Sequence, residues 1–129
     1  MLLNLLLIVL IGSLCVPQQV AEGACDGPHI ILTDKKASQS SNYTYNGIPY
    51  SADRAFDGNR STCSHTLQET TSWWSIDLQG VYNISCISIY NFNLSNHETN
   101  LSGAKIYIGN SRQNNGTNNT LYEPLVSLN

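Results

Sequence analysis

The chain has 129 residues, enough for one domain, and a formal net charge of −3 from six basic and nine acidic residues. The basic residues are scattered along the sequence, so a surface that binds nucleic acid is not expected. Only 12% of the residues are charged, while asparagine, serine and threonine are abundant. This balance is typical of extracellular proteins built from β-sheets.

The first patterned segment is an apolar run over residues 2–12, interrupted only by Asn4. It is too short to span a membrane, which takes about 20 apolar residues. Small residues follow it around Cys15 and Gly23, and they suit cleavage by a signal peptidase. Residues 1–23 are therefore predicted to be an export signal, cleaved somewhere between positions 15 and 24. Because no basic residue precedes the run, a retained amphipathic anchor is the alternative.

The rest of the chain, residues 26–129, is predicted to form one all-β domain. Its apolar segments are short, bounded by turn residues and without helical periodicity, which is the pattern of an antiparallel sandwich. A polar loop with a turn at Asn46-Gly47 is expected over 42–50, and a turn that ends a strand is expected at Gln79-Gly80. The predicted strands cover residues 30–32, 35–41, 73–78, 84–91 and 104–108, with another starting at 121.

The stretch over residues 51–78 organises this domain. Its first half is a loop with a strong turn signal at Asp57-Gly58, because glycine accepts a positive φ and aspartate can bond its own backbone. Its second half alternates, so that Trp74, Ile76 and Leu78 share one face of a strand. The loop is rich in the hard oxygen donors that calcium prefers. The pattern favours a sheet domain with a calcium ion at its rim.

Several motifs lie in and around this stretch: Ala55-Phe56-Asp57-Gly58-Asn59-Arg60, Cys63-Ser64-His65-Thr66, Trp73-Trp74-Ser75-Ile76-Asp77-Leu78, Ile87-Ser88-Ile89-Tyr90-Asn91 and Leu101-Ser102-Gly103-Ala104-Lys105-Ile106-Tyr107-Ile108-Gly109-Asn110. In their order and nearly in their spacing they resemble the motifs of the F-type lectins, also called fucolectins and found in pentraxin fusion proteins. The resemblance covers roughly residues 30 to 128 and implies a jelly-roll β-sandwich, with one helical turn over 52–56. The family's closing strands would follow Asn129, so the domain is expected to be incomplete at its C-terminus.

The resemblance also implies calcium as a cofactor. The residues that match the family's calcium loop are Arg54 and Asn59, through their carbonyls, together with Asp57 and Thr62. A late acidic ligand of the family would lie beyond Asn129. A plain Asp-Gly turn capped by hydroxyl groups is the alternative interpretation of the same residues.

The family binds fucose with one histidine and two arginines, and His65 matches the histidine. The family spacing places Phe92, Leu94 and Thr99 where the first arginine, an aspartate and the second arginine are expected. Charge-assisted hydrogen bonds contribute about 1.5–3 kcal/mol each, so a fucose site without them is predicted to be degraded. The nearby His97 and Glu98 offer a different polar site, or are solvated loop residues.

Catalysis is not expected. His65 and Glu69 have the spacing of a helical metal pair, but their neighbours are poor helix formers. Asp53 and Asp57 lack a second cluster that could supply a nucleophile or oxyanion donors. Cys63 in an exported protein is more often bridged than nucleophilic.

Export would make two kinds of covalent modification available. By the resemblance, Cys63 is bridged to a cysteine beyond Asn129, while the chain's other cysteines are Cys15, Cys25 and Cys86. Glycosylation requires sequons on the surface, and chance triplets in an asparagine-rich chain are the alternative. The sequons begin at Asn42, Asn59, Asn83, Asn93, Asn100, Asn115 and Asn118.

Two functions from different classes follow. The first is a secreted, calcium-dependent, fucolectin-like protein that recognises glycans in innate defence, with a degraded fucose site. Its partners are fucose-containing glycans, bound weakly or with altered preference, and its self-association into a homo-oligomer is left open; neither nucleic acid nor a membrane span is expected. The second is an extracellular adhesion module on the same fold that does not bind sugar.

Overall fold

The computed structural model describes residues 3–10, 28–59, 61–90, 104–122 and 126–128, with residues 3–10, 88, 90 and 126–128 described by their backbone alone. No α-helix occurs in these ranges; there are two short 3-10 turns, Ala52–Ala55 and Gln113–Gly116. The strands are β1 Leu3–Leu10, β2 Lys36–Gln39, β3 Thr44–Tyr45, β4 Ile48–Pro49, β5 Ser72–Tyr82, β6 Ser88–Tyr90, β7 Lys105–Gly109, β8 Thr120–Tyr122 and β9 Val126–Leu128.

Most of the pairing lies in one antiparallel sheet with the strand order β2-β5-β1-β7-β8. Beside it, β3 and β4 form an antiparallel hairpin, and β6 pairs in parallel with β9. The all-β fold class predicted from the sequence is confirmed. No described helix is long and apolar enough to cross a membrane.

The core lies on one face of β5 and β7. Along β5 burial alternates strictly from Ser72 to Leu78, as the sequence pattern predicts, with Ile76 and Leu78 almost completely buried. Burying each such aliphatic side chain contributes about 1.5–3 kcal/mol. Trp74 packs edge-on against Phe56, with ring centroids 6.3 Å apart, and its Nε1 donates to the Ala52 carbonyl at 2.9 Å. The core strand thereby fixes the 3-10 turn that precedes the loop from Asp57 to Thr62, which we call the Asp57 loop.

Strand β1 occupies the centre of the sheet. Its residues pair with β5 from Leu3↔Tyr82 to Leu10↔Ser72, and with β7 from Leu5↔Gly109 to Val9↔Lys105. The run of apolar residues suits a central strand, since such a strand can be covered on both faces. The export signal predicted over residues 1–23 uses the same segment, and it stays a prediction.

Three predictions about the backbone differ from the structure. Residues 30–32 form no strand; Lys35 N instead donates to the Leu32 carbonyl in a turn. The predicted turn at Gln79-Gly80 is an irregularity inside β5, where the register with β1 shifts and Gln79 takes a φ of 51°. Asp77 Oδ1 accepts from Gln79 N at 2.9 Å, which stabilises this kink without ending the strand. Of the strand expected over 84–91, residues 84–87 form no strand, β6 covers Ser88–Tyr90, and residue 91 lies outside the described residues.

The loop expected over 42–50 contains a two-residue hairpin. Asn46 and Gly47 have φ values of 50° and 76°, and positive φ at both central residues is typical of a type I′ turn, whose twist suits a hairpin. The strands expected over 35–41 and 104–108 correspond to β2 and β7. The helical turn expected over 52–56 is the first 3-10 turn, Ala52–Ala55.

Candidate functional site

His65 lies where the hairpin meets the segment before β5. Tyr43 N donates to the His65 carbonyl at 2.8 Å, and His65 N donates to the Tyr50 carbonyl at 3.0 Å. Tyr50 N closes the base of the hairpin by donating to the Tyr43 carbonyl at 2.8 Å. These main-chain bonds place two tyrosines beside the histidine although they are 22 and 15 positions away in sequence.

The side chain of Gln39 holds the same segments from the end of β2. Its Nε2 lies 2.8 Å from the Tyr50 carbonyl and 3.3 Å from the His65 carbonyl. It also lies 2.9 Å from the Ser41 carbonyl and 2.7 Å from Asn42 Oδ1. An amide nitrogen has only two hydrogens, so these four acceptors share them. Gln39 therefore ties β2, the hairpin and His65 together.

Three rings form what we call the aromatic cluster: Tyr43, Tyr50 and His65. The His65 ring centroid lies 4.6 Å from that of Tyr43 and 6.2 Å from that of Tyr50, while the two tyrosine rings are 5.7 Å apart. His65 Nδ1 donates to the Thr66 carbonyl at 2.6 Å, because a carbonyl oxygen can only accept. In the neutral ring Nε2 is then the acceptor nitrogen. The cluster combines apolar ring faces with a polar, half-buried imidazole.

Arg54 joins the aromatic cluster to the Asp57 loop. Its guanidinium carbon lies 4.6 Å from the centroid of the Tyr50 ring, within the range of a cation–π contact. Its Nε donates to the Cys63 carbonyl at 3.0 Å. The Arg54 guanidinium thus packs on Tyr50, which in turn contacts His65. The sequence analysis predicted a role for the Arg54 carbonyl only and none for its side chain.

Asp57, Asn59 and Thr62 lie together, as the predicted calcium loop requires. Asp57 Oδ1 accepts from Asn59 N at 2.9 Å, and Asp57 Oδ2 accepts from the Thr62 hydroxyl at 2.5 Å. The Asn59 carbonyl also lies 2.9 Å from the Thr62 hydroxyl. Gly58, with a φ of 78°, makes the tight turn. These contacts are those of an aspartate-capped turn, which was the alternative interpretation.

The donor types nevertheless fit calcium, since one carboxylate, a carbonyl and a hydroxyl converge on one side of the loop. Asp57 is the only carboxylate among the three, and no group of three or more His, Cys, Asp or Glu side chains in the described ranges could hold a metal. A calcium ion here would therefore depend mainly on neutral oxygens. Such a site is expected to be weak, because affinity rises with the number of charged ligands.

The segment before β5 buries three further polar or sulfur-bearing side chains beside the half-buried His65: Cys63, Ser64 and Thr66. Cys63 and Cys86 are both disulfide-bonded. The partner that the resemblance implies for Cys63, a cysteine beyond Asn129, stays a prediction. The hydroxyls of Ser64 and Thr66 are buried with no hydrogen-bond partner in the described part of the chain.

The predicted fucose determinants divide into two groups. His65 is in the aromatic cluster, whereas Phe92, Leu94 and Thr99, with His97 and Glu98, lie outside the described residues. Sequence reasoning missed Gln39, Tyr43 and Tyr50. The tyrosines had a signal, since three of them fall within residues 43–50, but nothing local indicated that they would reach His65.

Comparison with known proteins gives the family. The family model described as the NedA-like, galactose-binding domain matches residues 54–124. The chain belongs to this family of galactose-binding-like β domains. The matched segment contains the Asp57 loop, His65 and β5, but it leaves out the hairpin.

Relatives place the chain within the family more narrowly. Fucolectin-1 of Anguilla japonica is 40% identical over 80 residues, covering 57% of this chain and 44% of that relative. Fucolectin-4 of the same species is 43% identical over 83 residues, covering 60% of this chain and 45% of the relative. The pentraxin fusion protein of Xenopus laevis is 29% identical over 101 residues, covering 67% and 24%. The domain is F-type lectin-like, as predicted, and the chain spans less than half the length of these relatives. No solved structure matches it.

Proposed function

We propose that this chain is a lectin domain that binds fucose-containing glycans weakly, with His65 at the centre of its site. The observation that carries the proposal is the aromatic cluster, in which an imidazole of defined tautomer lies among two tyrosine rings. Ring faces of this kind pack against the apolar side of a sugar, and the imidazole bonds its hydroxyls. The fucolectin names of the relatives point to the same ligand class.

The affinity is expected to be low. Phe92, Leu94 and Thr99 cannot supply the charged groups that the family pattern has at these positions. Each neutral hydrogen bond from His65 contributes only about 1 kcal/mol net. A monosaccharide held in this way is expected to bind in the millimolar range, where the standard free energy is about −4 kcal/mol.

Titration calorimetry with fucose tests the proposal. Wild-type protein should bind with a millimolar Kd, and His65→Ala should bind at least several-fold more weakly. His29→Ala is the matched control, because His29 is exposed and lies outside the cluster. Equal affinity in the wild type and His65→Ala would contradict the role of His65. Micromolar binding would show that another set of donors replaces the missing arginines.

We also propose that calcium binds at the Asp57 loop, through Asp57, Thr62 and the carbonyls of Asn59 and Arg54. Support comes from the convergence of Asp57, Asn59 and Thr62 oxygens around one turn. A bound ion stabilises the folded state by mass action, so Tm should rise with calcium concentration. Asp57→Ala should remove this rise, whereas Asp34→Ala, an exposed carboxylate paired with Lys35, should keep it. A rise of equal size in Asp57→Ala would place the ion elsewhere.

Export is the third part of the proposal, with residues 1–23 as the signal and sequons such as Asn42 glycosylated. In a secretory host the released protein should begin between residues 16 and 24, as N-terminal sequencing would show. Such cleavage would take β1 out of the sheet, so the released protein should differ from the uncleaved chain in β-sheet content by circular dichroism. Release of protein that begins at Met1 would contradict the cleavage.

One observation favours adhesion without sugar binding as the second candidate. The hairpin exposes two large side chains on either side of its turn, Tyr45 at 57% and Ile48 at 55%. Exposed apolar groups at a hairpin tip are suited to contact with another macromolecule. Under this alternative, Tyr45→Ser with Ile48→Ser would abolish cell or matrix adhesion while His65→Ala would not.

A further inference from the structure

The outward face of the sheet contains a groove that is separate from the aromatic cluster. Along β5, Trp73, Ser75 and Asp77 alternate with the buried core residues and so face away from the core. Together with β2 and the turn after β7, they line a cavity of about 300 Å³. This volume is at the lower end of the range for small-molecule sites, about 300–1,000 Å³.

The polar groups of the groove are held in place by contacts with each other. Arg112 Nη2 donates to Asp77 Oδ2 in an ion pair, while Asp77 Oδ1 accepts from Gln79 N at 2.9 Å. The Arg112 side chain is 76% exposed, so most of its donors face solvent above the groove. On the side of β2, the hydroxyls of Ser38 and Ser75 lie 3.0 Å apart.

The aromatic part of the lining is the indole of Trp73, which is half-buried. Residues i and i+2 of a strand lie on one face about 6.5 Å apart, so the indole, a hydroxyl and a carboxylate follow one another along β5 at that interval. An indole face beside spaced donors and acceptors is complementary to a pyranose ring. The apolar C–H side of the ring can pack on Trp73, and its hydroxyls can bond Asp77 and Arg112.

We propose that this groove is a second glycan subsite, which holds a pyranose unit against Trp73 with Asp77 and Arg112 as its polar contacts. The proposal rests on the proposed lectin function, because it adds a contact surface to the same class of ligand. The subsite belongs to the uncleaved chain, in which β1 holds β5 and β7 in one sheet. It involves none of the residues of the aromatic cluster or the Asp57 loop.

Tryptophan fluorescence offers a direct readout of the subsite. The chain has two tryptophans. Trp74 is buried and bonded to Ala52, so a sugar packed on Trp73 should change the emission of Trp73 alone. Titration of the full chain with the methyl glycosides of galactose and fucose, and with a fucosylated oligosaccharide, should produce a saturable change. The same titration of Trp73→Leu should show no such change.

Affinity measurements on variants decide the proposal. Trp73→Leu and Arg112→Gln should each weaken binding of the oligosaccharide by about tenfold, as expected for the loss of one packed ring or one charged hydrogen-bond donor. Lys105→Gln is the control, because it removes an exposed cation on β7 outside the groove. If Trp73→Leu does not fold, Arg112→Gln decides alone, since its side chain is mostly exposed.

Three outcomes decide between the subsite and the lectin function. Binding that His65→Ala abolishes, but that Trp73→Leu and Arg112→Gln leave unchanged, would overturn the subsite and leave the lectin proposal intact. No binding of any glycan by the wild type would overturn the lectin function, and the subsite with it. Binding that survives His65→Ala and falls in Arg112→Gln would support a separate site in the groove.

Discussion

The Asp57 loop and the aromatic cluster both adjoin Arg54, but they are built by different kinds of contact. The loop is closed by hydrogen bonds between residues two to five positions apart. The cluster depends on bonds between residues 7 to 26 positions apart, through the hairpin and Gln39. The contacts of the Asp57 loop need only the loop itself to be folded. The aromatic cluster, in contrast, forms only if β2, the hairpin and the segment before β5 are all in place. Damage to the wider fold should therefore affect sugar binding before it affects calcium binding.

Among the substitutions that test this difference between the two regions, Gln39→Ala is expected to have the largest effect on stability. It removes the amide that donates to the Tyr50 and His65 carbonyls. Leaving partly buried acceptors without a hydrogen-bond partner destabilises the folded state. We expect the free energy of unfolding to fall by about 2 kcal/mol, with fucose binding lost and the calcium-dependent rise in Tm retained. Urea denaturation with and without calcium would measure both.

Gln68→Ala is the matched control for Gln39→Ala, because Gln68 is exposed. It should leave stability within about 0.5 kcal/mol of the wild type, as surface substitutions usually do. If Gln39→Ala abolished the calcium effect together with sugar binding, the two regions would be one cooperative unit and the distinction drawn above would be wrong.

Two glycine-to-alanine substitutions, one in each region, should introduce about the same backbone strain but affect different ligands. Gly47 and Gly58 have φ values of 76° and 78°, a conformation that disfavours an alanine by about 1–2 kcal/mol. A Cβ on Gly47 would meet nothing within 4 Å, so only backbone strain is expected there. Gly47→Ala should weaken sugar binding and spare calcium, whereas Gly58→Ala should do the reverse. Calorimetry with each ligand checks both, and the same pattern in both variants would contradict the separation.

The smallest expected effects on stability come from replacing threonine by valine, once in the Asp57 loop and once next to His65. Thr62 donates its hydroxyl to Asp57, so Thr62→Val should reduce the free energy of unfolding by about 0.5–1 kcal/mol. The hydroxyl of Thr66 is buried without a partner in the described part of the chain, so Thr66→Val should be neutral or slightly stabilising. Thermal denaturation gives the sign of each change. A loss of stability in Thr66→Val would show that its hydroxyl is bonded.

The sequence predicted the parts of the molecule that local patterns determine. The alternation around Trp74 indicated β5 and its buried face, and Asp57-Gly58 indicated a turn. The kink at Gln79 was mistaken for the end of a strand, because a residue with positive φ gives the same local signal in a bulge as in a turn. Asn46-Gly47 had the composition of a hairpin turn, but its flanking strands have only two residues each.

The candidate site could be predicted only in part. His65 and the residues proposed for calcium were singled out because their neighbours form recognisable motifs, and their roles stay predictions. Tyr43, Tyr50 and Gln39 could not be assigned, because main-chain bonds across the fold bring them to His65. The Trp73 groove was hidden for a similar reason, since Arg112 reaches Asp77 from 35 positions away.

The central position of β1 has a consequence for the order of events during synthesis. In the sheet β5 and β7 do not pair with each other, since β1 lies between them. Leu3–Leu10 leaves the ribosome about 100 residues before β7, an interval of about 5–20 s at usual rates of synthesis. During that time an apolar segment is available to the export machinery as well as to β5. Under the proposed export, folding and targeting would compete for the same eight residues. The faster of the two would then decide whether this segment closes the sheet.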